Sequence, residues 1–225
     1  MARMPPAHLI DPMLLAPLVA RGRSLLRDGR RAVLGLAGAP GAGKTTLAEA
    51  LVEVLRRDPP DGLGADGVAH LPMDGFHLAD VQLDRLGLRS RKGAPETFDA
   101  RGYLATLARV RSETGVVVYA PGFERDLEQP IAAAVAIPAE ARLVVTEGNY
   151  LLLDDDPWPQ VRALLDEVWF VDVTDALRQQ RLVTRHVAFG KEPDDAQAWA
   201  LGPDQANADR VLATRSRADL LVTLT

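Results

Sequence analysis

The 225-residue sequence contains no cysteine, which excludes a disulfide framework and any thiolate metal site. Lysine is nearly as scarce, with Lys44, Lys92 and Lys191 alone. None lies in an Asn/Thr-Lys-x-Asp stretch, so the guanine-reading motif of a regulatory GTPase is missing. So is the LSGGQ-like stretch of a transporter ATPase. No apolar run approaches the ~20 residues of a membrane span. The mostly apolar stretch from Leu9 to Ala20 is interrupted by Asp11, Pro12 and Pro17 and lacks a clean small-residue cleavage site, so it is not a signal peptide. Leu14, Leu15, Leu18, Val19, Leu25 and Leu26 instead mark one face of a helix packed on the domain. A cytoplasmic protein is expected. There is no excess of positive charge either. A net charge of −5 argues against nucleic-acid or membrane partners and makes any basic patch local. The partner is then a small molecule, with a homodimer left open.

What is present is an ordinary globular composition, 47% apolar and 25% charged. A chain of this length forms one large domain and buries roughly 70% of its unfolded surface. Its organising stretch is Gly38-Ala39-Pro40-Gly41-Ala42-Gly43-Lys44-Thr45-Thr46, which fits G-x-x-x-x-G-K-[ST]. That motif acquires meaning from a strand before it and a helix after it. Ala32 to Ala37 is a short apolar run suited to a central parallel strand. Leu47, Ala48, Leu51, Val52 and Leu55 recur at helical spacing from Lys44 to Arg57. Such a loop curls its amides into an anion-binding nest, and the helix N-terminus adds roughly half a positive charge. Lys44 would reach the β- and γ-phosphates, and the Thr45 hydroxyl would ligate Mg²⁺. A nucleoside triphosphate is the expected ligand.

Further apolar runs predict strands at 68–73, 116–119, 142–146, 168–171 and 220–222, with helices over 78–86, 103–110 and 161–165. A loop is expected over 120–126, and a polar helical region over 175–215, broken at Gly190 and Gly202-Pro203. Strands alternating with helices predict a three-layer α/β/α fold around a five-stranded, mostly parallel sheet.

In such folds ligands sit beyond the carboxyl ends of the strands. The phosphate loop follows the first strand, Asp74 the second, and Glu147 ends the strand at 142–146. Two acids at strand ends would meet the needs of a P-loop kinase, one for the Mg²⁺ shell and one as base for an acceptor hydroxyl. Arg178, Arg181 and Arg185 share one helical face, which suits a lid closing over the transferring phosphoryl group, with Gly190 and Gly202 as hinges. A solvated stripe is the plainer alternative. Phe76 and His77 either line an acceptor pocket or belong to the core. Asn149 either touches substrate or caps a turn, and Arg125 reads as a surface-loop residue, with a role near Tyr119 left open.

The phosphate loop, Met73-Asp74-Gly75-Phe76-His77, Arg91-Lys92-Gly93-Ala94-Pro95-Glu96-Thr97-Phe98-Asp99 and Thr146-Glu147-Gly148-Asn149-Tyr150-Leu151-Leu152 occur in that order. From about Val33 onward the chain resembles the P-loop kinases of the uridine kinase, phosphoribulokinase and bacterial pantothenate kinase group. It is most similar to the branch labelled nucleoside/nucleotide kinase-like or fructose transport system kinase. The resemblance implies an ATP- and Mg²⁺-dependent phosphotransferase with Asp74 as catalytic base, Glu147 in the Mg²⁺ shell, and a lid at about 175–215 in a single domain spanning 1–225. It further implies catalytic roles for Lys44, Arg181 and Arg185, metal contacts from Thr45, Asp74 and Glu147, and nucleotide contact from Arg178. Tyr119 corresponds to a family tyrosine bordering the acceptor. Tyr119-Ala120-Pro121-Gly122-Phe123 departs from the Pro-x-Tyr-Asp-Phe character of uridine kinases, which argues against a pyrimidine nucleoside.

The candidate pocket draws on Phe76, His77, Phe98 and Tyr119, and on the basic residues Arg89, Arg91, Lys92 and Arg101. Rings and His suit a sugar or nucleoside, whereas clustered cations suit an anionic acceptor such as pantothenate or a sugar phosphate. The uncharged acceptor is expected, because basic loops in so Arg-rich a chain are more often solvated. A non-catalytic nucleotide-binding regulator is the remaining alternative.

Overall fold

The computed structural model describes residues 10–26, 29–60 and 62–225. Leu9, read above as the start of the mostly apolar N-terminal stretch, lies outside them. The elements in chain order are α1 (Pro12–Ser24), β1 (Ala32–Ala37), α2 (Lys44–Arg57), β2 (Val68–Pro72), α3 (Asp80–Leu86), α4 (Ala100–Ser112), β3 (Val118–Glu124), β4 (Gln129–Ile137) and β5 (Leu143–Gly148). Then come α5 (Trp158–Ala163), β6 (Glu167–Asp172), α6 (Asp175–Ala188), α7 (Pro193–Leu201), α8 (Pro203–Leu212) and β7 (Leu220–Thr223).

Five strands form one all-parallel sheet in the order β2-β5-β1-β6-β7. β1 and β5 are buried along their whole length, as expected of central strands without polar alternation. One face is covered by α1 and α2, whose Leu15, Leu18, Leu47, Leu51 and Leu55 pack against Leu34, Leu36 and Val145. The Asp11 carboxylate starts α1 by accepting from the Met13 amide at 2.8 Å. On the other face Tyr103, Leu107 and Val110 of α4 and Trp158 and Val161 of α5 pack against Val33, Val144 and Phe170. The three-layer expectation holds, and the polar region after β6 breaks at Gly190 and Gly202, as its glycines indicate.

One element departs from expectation. The short strand at 116–119 and loop at 120–126 are instead the first arm of a β3–β4 antiparallel hairpin, with the register shifting between Ala120 and Gly122. Pro121 and Gly122 are loop signals in a sequence but mark an irregularity inside this ribbon. The second arm, Gln129-Pro130-Ile131-Ala132-Ala133-Ala134-Val135-Ala136-Ile137, is rich in alanine, which has little strand propensity.

Candidate active site

The site is built on the sheet order. β2, β5 and β1 are neighbours, and Glu147 lies level with Pro72 on one side and Leu36 on the other. Strands lie about 4.8 Å apart, so the segments leaving these three carboxyl ends must converge.

The loop after β1 folds back through Gly41 (φ 79°) and Gly43 (φ 95°), backbone that favours glycine. Space also demands glycine at position 41, where a Cβ would stand 2.8 Å from the Arg178 carbonyl oxygen and 2.9 Å from Leu182 Cγ. α6 is thereby seated directly on the loop. α2 begins without a side-chain cap and without an acid in its first turn. Its leading amides therefore stay available to an anion. The buried Lys44 ammonium donates to the Ala39 carbonyl at 3.0 Å. Burial lowers its pKa to about 8, helped by Arg185 and Arg125 and opposed by Glu147 and Asp74.

Glu147 is buried, and its Oε1 accepts from the Thr45 hydroxyl at 3.1 Å. Burial and then the Asp74 charge raise its pKa to about 7, against Lys44 and the Thr45 bond. Asp74 sits in the tight turn Met73–Phe76 after β2. A Cβ on Gly75 would stand 2.1 Å from the Pro121 carbonyl oxygen, so glycine lets this turn press against β3. The hairpin then delivers Arg125, whose Nη2 donates to Asp74 Oδ2 at 2.6 Å. Burial alone would raise the Asp74 carboxyl. His77 when protonated, together with Arg125, Lys44 and Arg185, outweighs burial and holds it below its usual value. The two acids are thus driven apart, Asp74 toward the ionised form and Glu147 toward the protonated one.

The far wall gathers much of the chain's small aromatic content. His77 lies between Phe98 and Phe123, with ring centroids at 4.0 and 4.9 Å, and Phe98 meets Tyr150 at 5.6 Å. Phe76 packs edge-on against Tyr103 at 5.1 Å. His77 Nδ1 lies 2.8 Å from the Asp74 carbonyl oxygen. A carbonyl only accepts, so Nδ1 carries the proton and Nε2 of the neutral ring is an acceptor. Burial lowers the His77 pKa, which favours that neutral ring.

The three arginines of α6 all face the loop side. Arg178 is 1% exposed, bonded to Asp175 and Gln205, with its Nη1 unpartnered in the interior. Arg181 Nη1 lies 3.5 Å from where a Gly43 Cβ would stand. Arg185 is within electrostatic reach of Asp74 and Arg125, and burial lowers its pKa. A His186–Asp204 contact at 2.7 Å ties α6 to α8.

Other candidates fall elsewhere. Tyr119 is 59% exposed on the hairpin, between Val118 and Ala120, which face the core, and it does not join the rings around His77. Asn149 bonds to the Tyr150 hydroxyl, a structural engagement. The basic segment is neutralised locally: Arg89 and Lys92 pair with Asp80, Arg91 with Glu96, and Arg101 with Asp156. Arg125 does lie in the partly exposed turn of the hairpin, but from there it pairs with Asp74. Phe123, over which Arg125 stacks at 5.1 Å, is a further site residue that the sequence does not single out. Neither carries a local signal, because the hairpin that positions them is not legible in the sequence.

Among the described residues no cluster of three or more His, Cys, Asp or Glu forms a self-sufficient metal cage. Mg²⁺ needs none, since it is held through one or two carboxylates, waters and substrate phosphates. The Thr45 hydroxyl beside the Glu147 carboxylate, with Asp74 close by, is a donor set of that kind.

Comparison with known proteins places this geometry. The profile of the Phosphoribulokinase / Uridine kinase family matches residues 33–198. The uncharacterized protein YggC of Escherichia coli is 35% identical over 196 residues, covering 87% of this chain and 79% of its own length. The "putative uridine kinase C227.14" of Schizosaccharomyces pombe is 32% identical over 177 residues, covering 77% and 74%. The crystal structure of a "putative fructose transport system kinase" from Silicibacter sp. TM1040 superposes with a TM-score of 0.81 at 38% identity, covering 92% of this chain and 98% of that one. The chain is a P-loop kinase and belongs to the phosphoribulokinase / uridine kinase family.

Proposed function

We propose that this kinase uses ATP and Mg²⁺ to phosphorylate a hydroxyl of a small polyhydroxylated metabolite of the sugar or nucleoside kind. The observation that carries this reading is the convergence of Asp74 and Glu147 on Lys44 and Thr45, with the two carboxyls biased to opposite protonation states. The acceptor oxygen attacks the γ-phosphorus, the bond to the β-phosphate oxygen breaks, and the hydroxyl proton passes to Asp74. Arg125 occupies Oδ2 of Asp74, so Oδ1 is the oxygen left to accept that proton. Glu147 and Thr45 would hold Mg²⁺, which would supply positive charge to the phosphates when bound. Lys44 and the loop amides bind the phosphates. Arg181 and Arg185 stabilise the transferring group from a lid comprising α6 to α8, and Arg178 lies at the nucleotide end.

The neutralised basic segment supports an uncharged acceptor, which His77, Phe98 and Phe123 would face. The fructose-transport name of the Silicibacter relative points the same way. An anionic acceptor is the second reading, and Arg125 favours it, since its 39% exposed guanidinium lies at the base itself. An ATP-consumption screen over free sugars, nucleosides, pantothenate and sugar phosphates, with Lys44→Ala as blank, tests both. Turnover confined to anionic acceptors, with a KM rising steeply with salt, would overturn the first reading. Triphosphate binding without turnover on any acceptor would leave a nucleotide-binding regulator.

A further inference from the structure

A second cavity lies at the opposite end of the sheet, where β1 and β5 begin. It has a volume of about 540 Å³ and is lined by Arg30, Arg31, Arg111 and Arg142, with Glu140 at its edge. The parallel strands between it and the phosphate loop run six residues, five steps of about 3.3 Å or roughly 16 Å, so it is no part of the nucleotide site.

Among the described residues its four arginines outnumber the acids that line it or pair with them. Arg30 and Arg111 both pair with Asp166, at 3.0 and 2.5 Å, and Asp166 also accepts from the Val33 amide at 2.7 Å. Arg31 is 3% exposed and donates only to backbone carbonyls, those of Ala141, Val110, Pro138 and Ala139 among them. Its positive charge is therefore buried beside the cavity with no acid of its own. Arg142 forms no ion pair with any described residue, and burial of Arg31, followed by the Arg142 charge, lowers the Arg31 pKa. A chain of net charge −5 has thus gathered four guanidinium groups around one solvent-open cavity.

We propose that this cavity is a second anion site, taking a small phosphate-bearing ligand. Guanidinium forks match phosphate oxygens bidentately, and a cleft of this volume open to solvent suits a small molecule. A nucleic acid is disfavoured by the net negative charge outside the cavity. The inference is independent of the acceptor at Asp74.

Inorganic phosphate is the probe, followed by the arginine side-chain Nε–H resonances of the full-length protein. Saturable shifts of Arg142 and Arg111 are expected, distinct in midpoint from those of the Gly43 and Lys44 amides. Arg142→Ala should weaken the remote midpoint about tenfold or more, the worth of one charge-assisted bond. Glu140→Gln, which removes a like charge from the rim, should tighten it. Neither variant touches the phosphate loop, so loop shifts report that the fold is intact. Arg142 and Arg111 signals that stay fixed at phosphate concentrations saturating the loop would overturn the proposal. So would an unchanged remote midpoint in both Arg142→Ala and Arg142→Glu.

Discussion

Replacing Asp74 by Asn separates a base from a structural acid. The ion pair with Arg125 is open to solvent, with side-chain exposures of 25% and 39%, so its loss should cost at most about 1 kcal/mol of stability. The variant should therefore fold, and its chemistry can be read. A positioned base contributes on the order of 10² or more, so kcat should fall at least that far, about 2.7 kcal/mol of barrier. Nucleotide affinity should stay within a few-fold, because the phosphates are held by Lys44 and the loop amides. A second consequence separates this reading from a general disturbance. The Asp74 charge is, after burial, the main influence raising the Glu147 carboxyl to about 7. Without it Glu147 ionises at lower pH, and Mg²⁺, which needs the carboxylate, should lose less affinity as pH falls from 7.5 to 6. The assays are steady-state kinetics across that range with Mg²⁺ varied, and a ¹³C titration of the Glu147 carboxyl. Asp74→Asn with kcat within threefold of the wild type and an unmoved Glu147 titration would refute both assignments.

Lys44→Ala should keep its circular dichroism and lose triphosphate affinity by about tenfold or more, measured by calorimetry, since a charge-assisted contact is worth about 1.5 kcal/mol upward. Arg185→Ala should lower kcat more than nucleotide affinity, because Arg185 stands within electrostatic reach of Asp74, the proposed base; equal losses in both would count against a transition-state role. His70, with Nε2 unpartnered in the interior, has its pKa lowered to about 4 by burial and then Arg56. The unfolded chain takes up a proton through about pH 6.5 and the folded one only near 4, so stability should fall by up to about 3 kcal/mol as pH drops between them. Urea titrations should show that slope, and His70→Gln should remove most of it.

The sheet and the phosphate end of the site were legible because their determinants are local. An unbroken apolar run, a glycine loop and a helix at 3.6 spacing occupy consecutive residues from Ala32 to Arg57, and each finds its predicted place. Asp74 and Glu147 were legible for a related reason. Each follows a buried strand, and parallel strands send their carboxyl ends to one edge. The spacing of Arg178, Arg181 and Arg185 gave a common face, but only the packing shows that Gly41 seats that face on the loop and buries Arg178.

The acceptor side resisted reading because it depends on contacts between segments far apart in the chain. Arg125 meets Asp74 across 51 residues, and Lys92 meets the Glu128 carbonyl across 36, so composition in any window is silent on both. Local inspection favoured a solvated basic run, and that run from Arg89 to Lys92 is indeed spent on Asp80 and Glu96; it gave little weight to the single Arg125, between Glu124 and Asp126 in sequence, which reaches Asp74. The cause is the hairpin. Gly75 and Pro121 touch closely enough to exclude a side chain, which locks the turn bearing Asp74 to the strand leading to Phe123 and Arg125. A change of acceptor within this architecture needs no change in the phosphate loop. On the proposed function, altering the ribbon would change Phe123 and Arg125 on the acceptor side while leaving Lys44, Thr45, Asp74 and Glu147 in place.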